Sequence, residues 1–180
     1  MNDKKKLLAI SGSTRSESSN LNLIKAIVPL VEDRFSITVF EGLAELPHFN
    51  PDLDQARPPK QISNFRLQLR GADAVLICTP EYAMGVPGTL KNAIDWTVSS
   101  MEFSQKPVGL ITASVAGEKA HASLLETLHI IDAEMTTNTQ LLISFIQTKL
   151  DGPVFKDDLV KQDVCNLLQS LHALTIKQMN

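Results

Sequence analysis

The residues of this chain best suited to chemistry lie in two short stretches. The first is Ser11-Gly12-Ser13-Thr14-Arg15-Ser16-Glu17-Ser18-Ser19-Asn20. Ser13, Thr14, Ser16, Ser18 and Ser19 offer hydroxyl donors, and Arg15 offers a permanently charged fork whose geometry matches a phosphate. Asn20 stands where a helix is expected to begin, and the free N–H groups and dipole of a helix N-terminus favour an anion. The second stretch is Pro80-Glu81-Tyr82-Ala83-Met84-Gly85-Val86-Pro87-Gly88. Gly85 and Gly88 let the backbone approach a ligand closely, and exposed N–H and C=O groups can pair with the polar edge of a flat heterocycle. Tyr82, the chain's one tyrosine, would wall the ring or a substrate pocket. Each stretch alone is also what turn chemistry produces, since Ser and Asn cap helices and Pro and Gly make turns.

The elements that must position these loops are legible around them. Lys6–Ile10 and Asp73–Cys78 read as buried strands, one before each loop. Ser36–Phe40 alternates and is β-branched, which predicts another strand. Pro107–Thr112 and Gln140–Ile146 complete a set of five. Helical spacing runs over Asn20–Val31, where Pro29 is expected to kink or end the helix near Val28. A second helix is expected over Pro59–Leu69, with Ile62, Phe65, Arg66 and Leu69 on one face and Gly71 as a C′-type stop. Further helices are expected from Pro87 or Gly88 to about Ser99, over Glu118–Ala133 and over Asp157–Lys177. Residues 41–60 hold four of the nine prolines and read as irregular.

Strands and helices thus alternate about five times. Apolar runs without alternation indicate strands buried on both faces, hence a parallel sheet. Right-handed crossovers give a three-layer α/β sandwich, and five strands match the flavodoxin-like order 2-1-3-4-5. Residues 1–180 are expected to form one domain of this kind. Ligands of such sheets sit beyond the C-terminal strand ends at the switch point, here between the first and third strands. Both unusual loops fall there. A third candidate, Thr112-Ala113-Ser114-Val115-Ala116-Gly117, follows the fourth strand with small residues.

Several functions are excluded or disfavoured. No GxGxxG follows the first strand and no GxxxxGK[ST] occurs, so neither dinucleotide fingerprint nor P-loop is present. A lone terminal phosphate, as on FMN, fits better than a pyrophosphate or triphosphate. At 180 residues, 43% hydrophobic, 21% charged and with net charge −3, the chain can build a normal core and is a poor nucleic-acid binder. Leu7–Ile10 is too short for a signal-peptide core, and no run suits a membrane span. Lys4, Lys5 and Lys6 are expected as solvated residues before the first strand, and the expected location is cytoplasmic. Cys78 and Cys165 form no CxxC, and no iron–sulfur, zinc or other metal site is expected. His121 and His129, eight residues apart, have no metal-site spacing. His172 is expected to face solvent, and His48 lies near the expected pocket. Lys91 and Asp95 make an i,i+4 surface pair worth a few tenths of a kcal/mol. Trp96 is expected as a core or subunit-interface anchor. No Ser-His-Asp or Cys-His set is evident.

Taken together, Gly12-Ser13-Thr14-Arg15-x-x-Ser18-x-Asn20 and Pro80-Glu81-Tyr82-x-x-Gly85-x-Pro87-Gly88-x-Leu90-Lys91-Asn92-Ala93-Ile94-Asp95-Trp96 resemble the NAD(P)H-dependent FMN reductases, which include quinone, chromate and azo-dye reductases. Leu46-Pro47-His48-Phe49-Asn50-Pro51-Asp52-Leu53 also resembles a family segment flanking the flavin near a dimer interface. The resemblance implies that Ser13, Arg15, Ser18 and Asn20 hold the FMN phosphate. It implies that Pro80, Glu81, Tyr82, Ala83, Met84 and Gly85 line the isoalloxazine, with Ser114 and Gly117 on its other side. Many relatives have Asn where Ala83 stands, and a Gly pair where Lys119-Ala120 stands. The implied activity is hydride transfer from NAD(P)H to FMN and release of electrons to quinones, azo compounds, metal oxyanions or free flavin. No side chain is assigned as catalytic. A homodimer or homotetramer is implied, with no membrane or nucleic-acid partner. Two other readings use the same fold: a flavodoxin-type electron carrier, against which Arg15 and the modest charge speak, and a flavin-free binding or regulatory protein.

Overall fold

The computed structural model describes residues 4–177. Ala74–Thr79 (β3) is buried at every position, as a strand covered on both faces must be. It pairs in parallel with Lys5–Ser11 (β1) and Val108–Ser114 (β4), while Phe35–Phe40 (β2) and Gln140–Ser144 (β5) form the two edges. The sheet order is β2-β1-β3-β4-β5, the flavodoxin-like arrangement that the alternation predicts.

Successive side chains of a strand point to opposite faces, and β1 divides in this way. Leu7 and Ala9 join a core with helices Ser19–Val31 (α1) and Asp158–Lys177 (α6). Leu8 and Ile10 join a second core with Lys60–Gly71 (α2), Gly88–Asp95 (α3) and Glu118–Ile130 (α4). Ile62, Phe65, Arg66 and Leu69 are the buried stripe of α2, as their spacing predicts. Trp96 is wholly buried and donates its Nε1–H to the Pro47 carbonyl at 2.8 Å; it is a core anchor. Lys91 and Asp95 pair at 2.5 Å.

Several expectations are corrected. Lys5 and Lys6 lie inside β1, and the Lys6 N–H donates to the Asp73 carboxylate at 2.6 Å. α1 runs through Pro29 to Val31. Pro29 and Lys25 are both exposed, so the Lys25 carbonyl, which loses the donor that residue 29 would supply, lies on the solvent side of the helix. Gly71 is the last residue of α2 rather than a left-handed stop, and the chain leaves through extended Ala72. α3 ends at Asp95, not near Ser99. The Trp96 carbonyl, which would carry the helix onward, is instead taken by Nε and Nη2 of Arg66. β4 extends to Ser114, where it pairs with Ser144. β5 stops at Ser144 because Phe145 turns into the left-handed region with φ 53°. A four-residue helix, Ile146–Lys149 (α5), and a hairpin, Leu150–Asp151 (β6) with Val154–Phe155 (β7), follow. His172 is half-buried rather than solvent-facing, edge-on to Phe35 at 5.3 Å. Burial, with Arg34 and Lys5 nearby, holds its imidazole below the usual range. No described helix is long and apolar enough to cross a membrane.

Candidate functional site

The β1 loop reaches β3 because residue 12 has no side chain. A Cβ on Gly12 would lie 2.3 Å from Thr79 Oγ1 and 3.1 Å from Leu90 Cδ2. The Gly12 N–H also donates to the Cys78 carbonyl at 2.8 Å, carrying the pairing one step past the strand. α1 then begins with Ser18 as N-cap, its Oγ accepting from the Asn20 N–H at 3.2 Å. The capping role read for this loop and its position at an anion-favouring helix terminus therefore coexist.

The Pro80–Gly88 loop is pinned at three points. The Glu81 N–H donates to Ser114 Oγ at 3.2 Å. The Glu81 carboxylate accepts from the Ala120 N–H in the first turn of α4 at 2.8 Å. Tyr82 Oη lies 3.3 Å from Ser13 Oγ. Tyr82 and Gly85 exchange backbone hydrogen bonds at 3.0 and 2.9 Å, closing a turn with Ala83 (φ 49°) and Met84 (φ 60°) at its centre. Positive φ at both central positions is the type I′ pattern that Asn and Gly favour. Gly117 starts α4 at φ 126°, and a Cβ there would meet Leu142 Cδ1 at 2.9 Å.

These loops enclose a cleft of about 180 Å³ at the β1/β3 switch point. Eight of the residues read as ligand-binding line it: Ser13, Arg15, Ser18, Asn20, Pro80, Glu81, Tyr82 and Ser114. Ala83, Met84 and Gly85 lie on the adjoining turn, with Ala83 and Met84 exposed, and Gly117 is buried outside the cleft. Ser19 of the first loop and Ala113 and Val115 of the third candidate loop also line it, as do Ile146 and Gln147, which the sequence does not point to. The apolar run predicts strand as far as Ile146, and nothing local announces the turn at Phe145 that brings Gln147 inward. Asn92 accepts from the Phe49 N–H at 2.7 Å and donates to the Pro47 carbonyl at 3.0 Å, clamping the Pro-rich segment to α3.

The cleft has an uneven supply of partners. Arg15 is exposed, and its guanidinium makes no ion pair among the described residues. It also borders a hollow of about 270 Å³ on the other side of its loop, beside Glu41 and Phe40. Asn20 is 3% exposed, and its Nδ2 donates to the Ala113 carbonyl at 3.0 Å. Its Oδ1 is a buried acceptor with no partner, an unusual and costly condition. Beside β4, His121 Nδ1 lies 2.8 Å from Thr112 Oγ1, and burial holds that imidazole below its ordinary range. His48 is exposed and lines none of these cavities. No cluster of His, Cys, Asp or Glu fit for a metal occurs among the described residues. A groove of about 310 Å³ between β1, β2 and α2 lies at the opposite strand ends, with Lys6 as its one charged residue.

This donor set fits FMN. A guanidinium, several hydroxyls and a helix N-terminus suit a terminal phosphate, while the orphaned Asn20 Oδ1 calls for a donor such as a sugar-chain hydroxyl. Comparisons with known proteins agree. A family described as NADPH-dependent FMN reductase matches residues 5–148. The NAD(P)H-dependent FMN reductase of Pseudomonas aeruginosa is 35% identical over 178 residues, 95% of each chain. The quinone reductase of Escherichia coli K12 is 29% identical over 157 residues, 84% of each chain. Among solved structures, the flavoenzyme NAD(P)H:(acceptor) oxidoreductase FerB of Paracoccus denitrificans superposes with a TM-score of 0.77 at 24% identity, covering 96% of this chain and 98% of its own.

Proposed function

The chain belongs to the NADPH-dependent FMN reductase family and is an oxidoreductase that depends on FMN and NAD(P)H, and from that premise we propose that its acceptor is a small quinone-class molecule. The quinone reductase among its relatives supports that class; azo compounds, metal oxyanions and free flavin are the other acceptors to be compared with it. FMN, when bound, would supply the redox chemistry between NAD(P)H and the acceptor.

The chain's own residues bind and orient. Arg15, Ser13 and Ser18 hold the phosphate at the start of α1. Asn20 takes a different part from the one the resemblance assigns. Its free atom is an acceptor, which a phosphate oxygen cannot satisfy and a ribityl hydroxyl can. The backbone of Pro80 to Gly85 lines the ring, Tyr82 walls it and Ser114 closes the β4 side, with Gly117 shaping the turn behind. No acid–base side chain is assigned. We further propose a cytoplasmic homodimer formed through residues 47–53 and the chain after α3, where Phe49, Leu53, Val98 and Met101 are exposed.

The observation that carries the binding reading is the pairing, in one cleft, of an orphaned buried Asn20 Oδ1 with an uncommitted Arg15 guanidinium. The test is the visible spectrum of the purified protein, followed by anaerobic NADPH or NADH and then a benzoquinone. A flavin band that bleaches and returns supports the proposal. A band that stays oxidised supports an electron carrier instead. A colourless protein that cannot be reconstituted with FMN sinks both.

A further inference from the structure

Glu81 is held through both its backbone N–H and its carboxylate, in a position that the binding roles above leave unexplained. Its side chain leaves the β3 loop and crosses to α4, where Oε2 accepts the Ala120 N–H at 2.8 Å. That N–H belongs to the first turn of a helix whose own N-cap is Gly117, with no side chain to offer. First-turn N–H groups have no intrahelical partner, so a helix capped by glycine needs an acceptor from elsewhere. A side-chain cap cannot be placed at residue 117 itself, because φ is 126° and a Cβ would strike Leu142 and Thr112. The carboxylate also complements the positive end of the helix dipole. At the same time the Glu81 N–H is fixed to Ser114 Oγ at 3.2 Å. One residue thus ties the β3 loop to both the end of β4 and the start of α4.

We infer that Glu81 is a positioning residue that acts as the N-cap of α4 in trans and thereby sets the spacing of the two loops between which the flavin ring lies. The inference rests on the FMN-binding reading. Glu81 does not touch the reacting atoms through its carboxylate, which is committed to α4. Its effect passes through the width and rigidity of the ring slot, so ring affinity depends on reach as well as on charge. The phosphate end, held by Arg15 and α1, lies outside this linkage.

The test is a fluorescence-quenching titration of the apoprotein with FMN and with riboflavin, alongside thermal melts. Glu81→Ala removes the cap, and Glu81→Asp keeps the charge but falls one methylene short of Ala120. Both are expected to weaken FMN and riboflavin by the same factor, about tenfold, the equivalent of one charge-assisted hydrogen bond. Glu81→Gln keeps an acceptor and loses only the charge at the helix terminus, so it should lie within about two- to fivefold of the parent. A melt that drops while both affinities hold overturns the inference and leaves Glu81 a fold residue only. Loss of FMN but not riboflavin affinity also overturns it, by placing Glu81 at the phosphate. If the parent protein itself binds neither flavin, the FMN reading fails, independently of Glu81. Should Glu81→Ala not fold, Glu81→Asp against Glu81→Gln decides the matter: equal affinities in those two refute the reach requirement.

Discussion

Arg15 is the point where the binding reading is most exposed to test. Its guanidinium is solvent-exposed and has no ion-pair partner among the described residues, so Arg15→Ala removes nothing the apoprotein uses. Stability should stay within about 0.5 kcal/mol, as for a surface substitution away from special features. FMN binding should not be spared. A hydrogen bond to a charged group contributes about 1.5–3 kcal/mol, and an exposed guanidinium belongs at the lower end because water competes for it. About 1.5 kcal/mol is roughly a tenfold rise in Kd. Riboflavin lacks the phosphate and should bind both proteins alike. Arg15→Lys keeps the charge without the planar fork and should fall between, and added salt should narrow the gap between parent and Arg15→Ala. The assay is quenching of flavin fluorescence on titration. Unchanged FMN affinity in Arg15→Ala, or an equal loss for riboflavin, would falsify the phosphate assignment.

Two predictions concern the frame that holds the site. Arg66 is 6% exposed and pairs with Asp54 at 2.7 Å while also serving the Trp96 carbonyl; Arg66→Met leaves that carboxylate with Ser99 alone and should cost about 3–5 kcal/mol in urea unfolding, so a loss under 1 kcal/mol would show that the pair is not isolated from water. Ala83→Asn places a residue tolerant of positive φ at a position held at 49° and should stabilise by about 0.5–1 kcal/mol, a rise of about 1–4 °C in Tm for a chain of this size; an unchanged or lower Tm would mean that the turn relaxes without help.

The sheet was legible because its signal is local and repeated. Apolar runs such as Ala74–Cys78 occur where both faces are covered, and the glycine and hydroxyl loops follow them directly. The clustering of Ser13, Arg15, Asn20 and Tyr82 followed from topology alone, since strand order places their loops together. What the sequence hid was decided by contacts distant in the chain. The end of α3 is set by Arg66, 30 residues away from the Trp96 carbonyl it captures. The role of Glu81 depends on a glycine N-cap 36 residues later, and no window around Glu81 contains it. The turns at Ala83, Met84 and Phe145 were invisible for another reason. They adopt left-handed backbone without the Gly or Asn that normally announces it, so tertiary ties such as Tyr82 to Ser13 must hold them there.

The hydroxyl-rich loop acquires a sharper logic from this geometry. A serine hydroxyl accepts twice and donates once. Ser18 Oγ accepts from the Asn20 N–H, and Ser13 Oγ accepts from the Arg15 N–H at 3.4 Å. Each is engaged by the protein as an acceptor; Ser18 Oγ keeps a proton able to turn toward an anion, and Ser13 Oγ shares its remaining capacity with Tyr82 Oη at 3.3 Å. Aspartate caps a helix as well as serine does, but it has no proton to give and adds a negative charge beside a phosphate. Ser18→Asp should therefore separate the two roles. Apoprotein stability should hold, whereas Ser18→Ala should lose about 1 kcal/mol with the cap. FMN affinity should fall further in Ser18→Asp than in Ser18→Ala, because like charges about 4 Å apart repel by about 1 kcal/mol in water and about 4 kcal/mol near a protein surface. Riboflavin should not distinguish the two variants. Melts and titrations on the pair decide the point: FMN binding as tight in Ser18→Asp as in Ser18→Ala would mean that no anion sits at the start of α1, and that the loop's hydroxyls serve the turn alone.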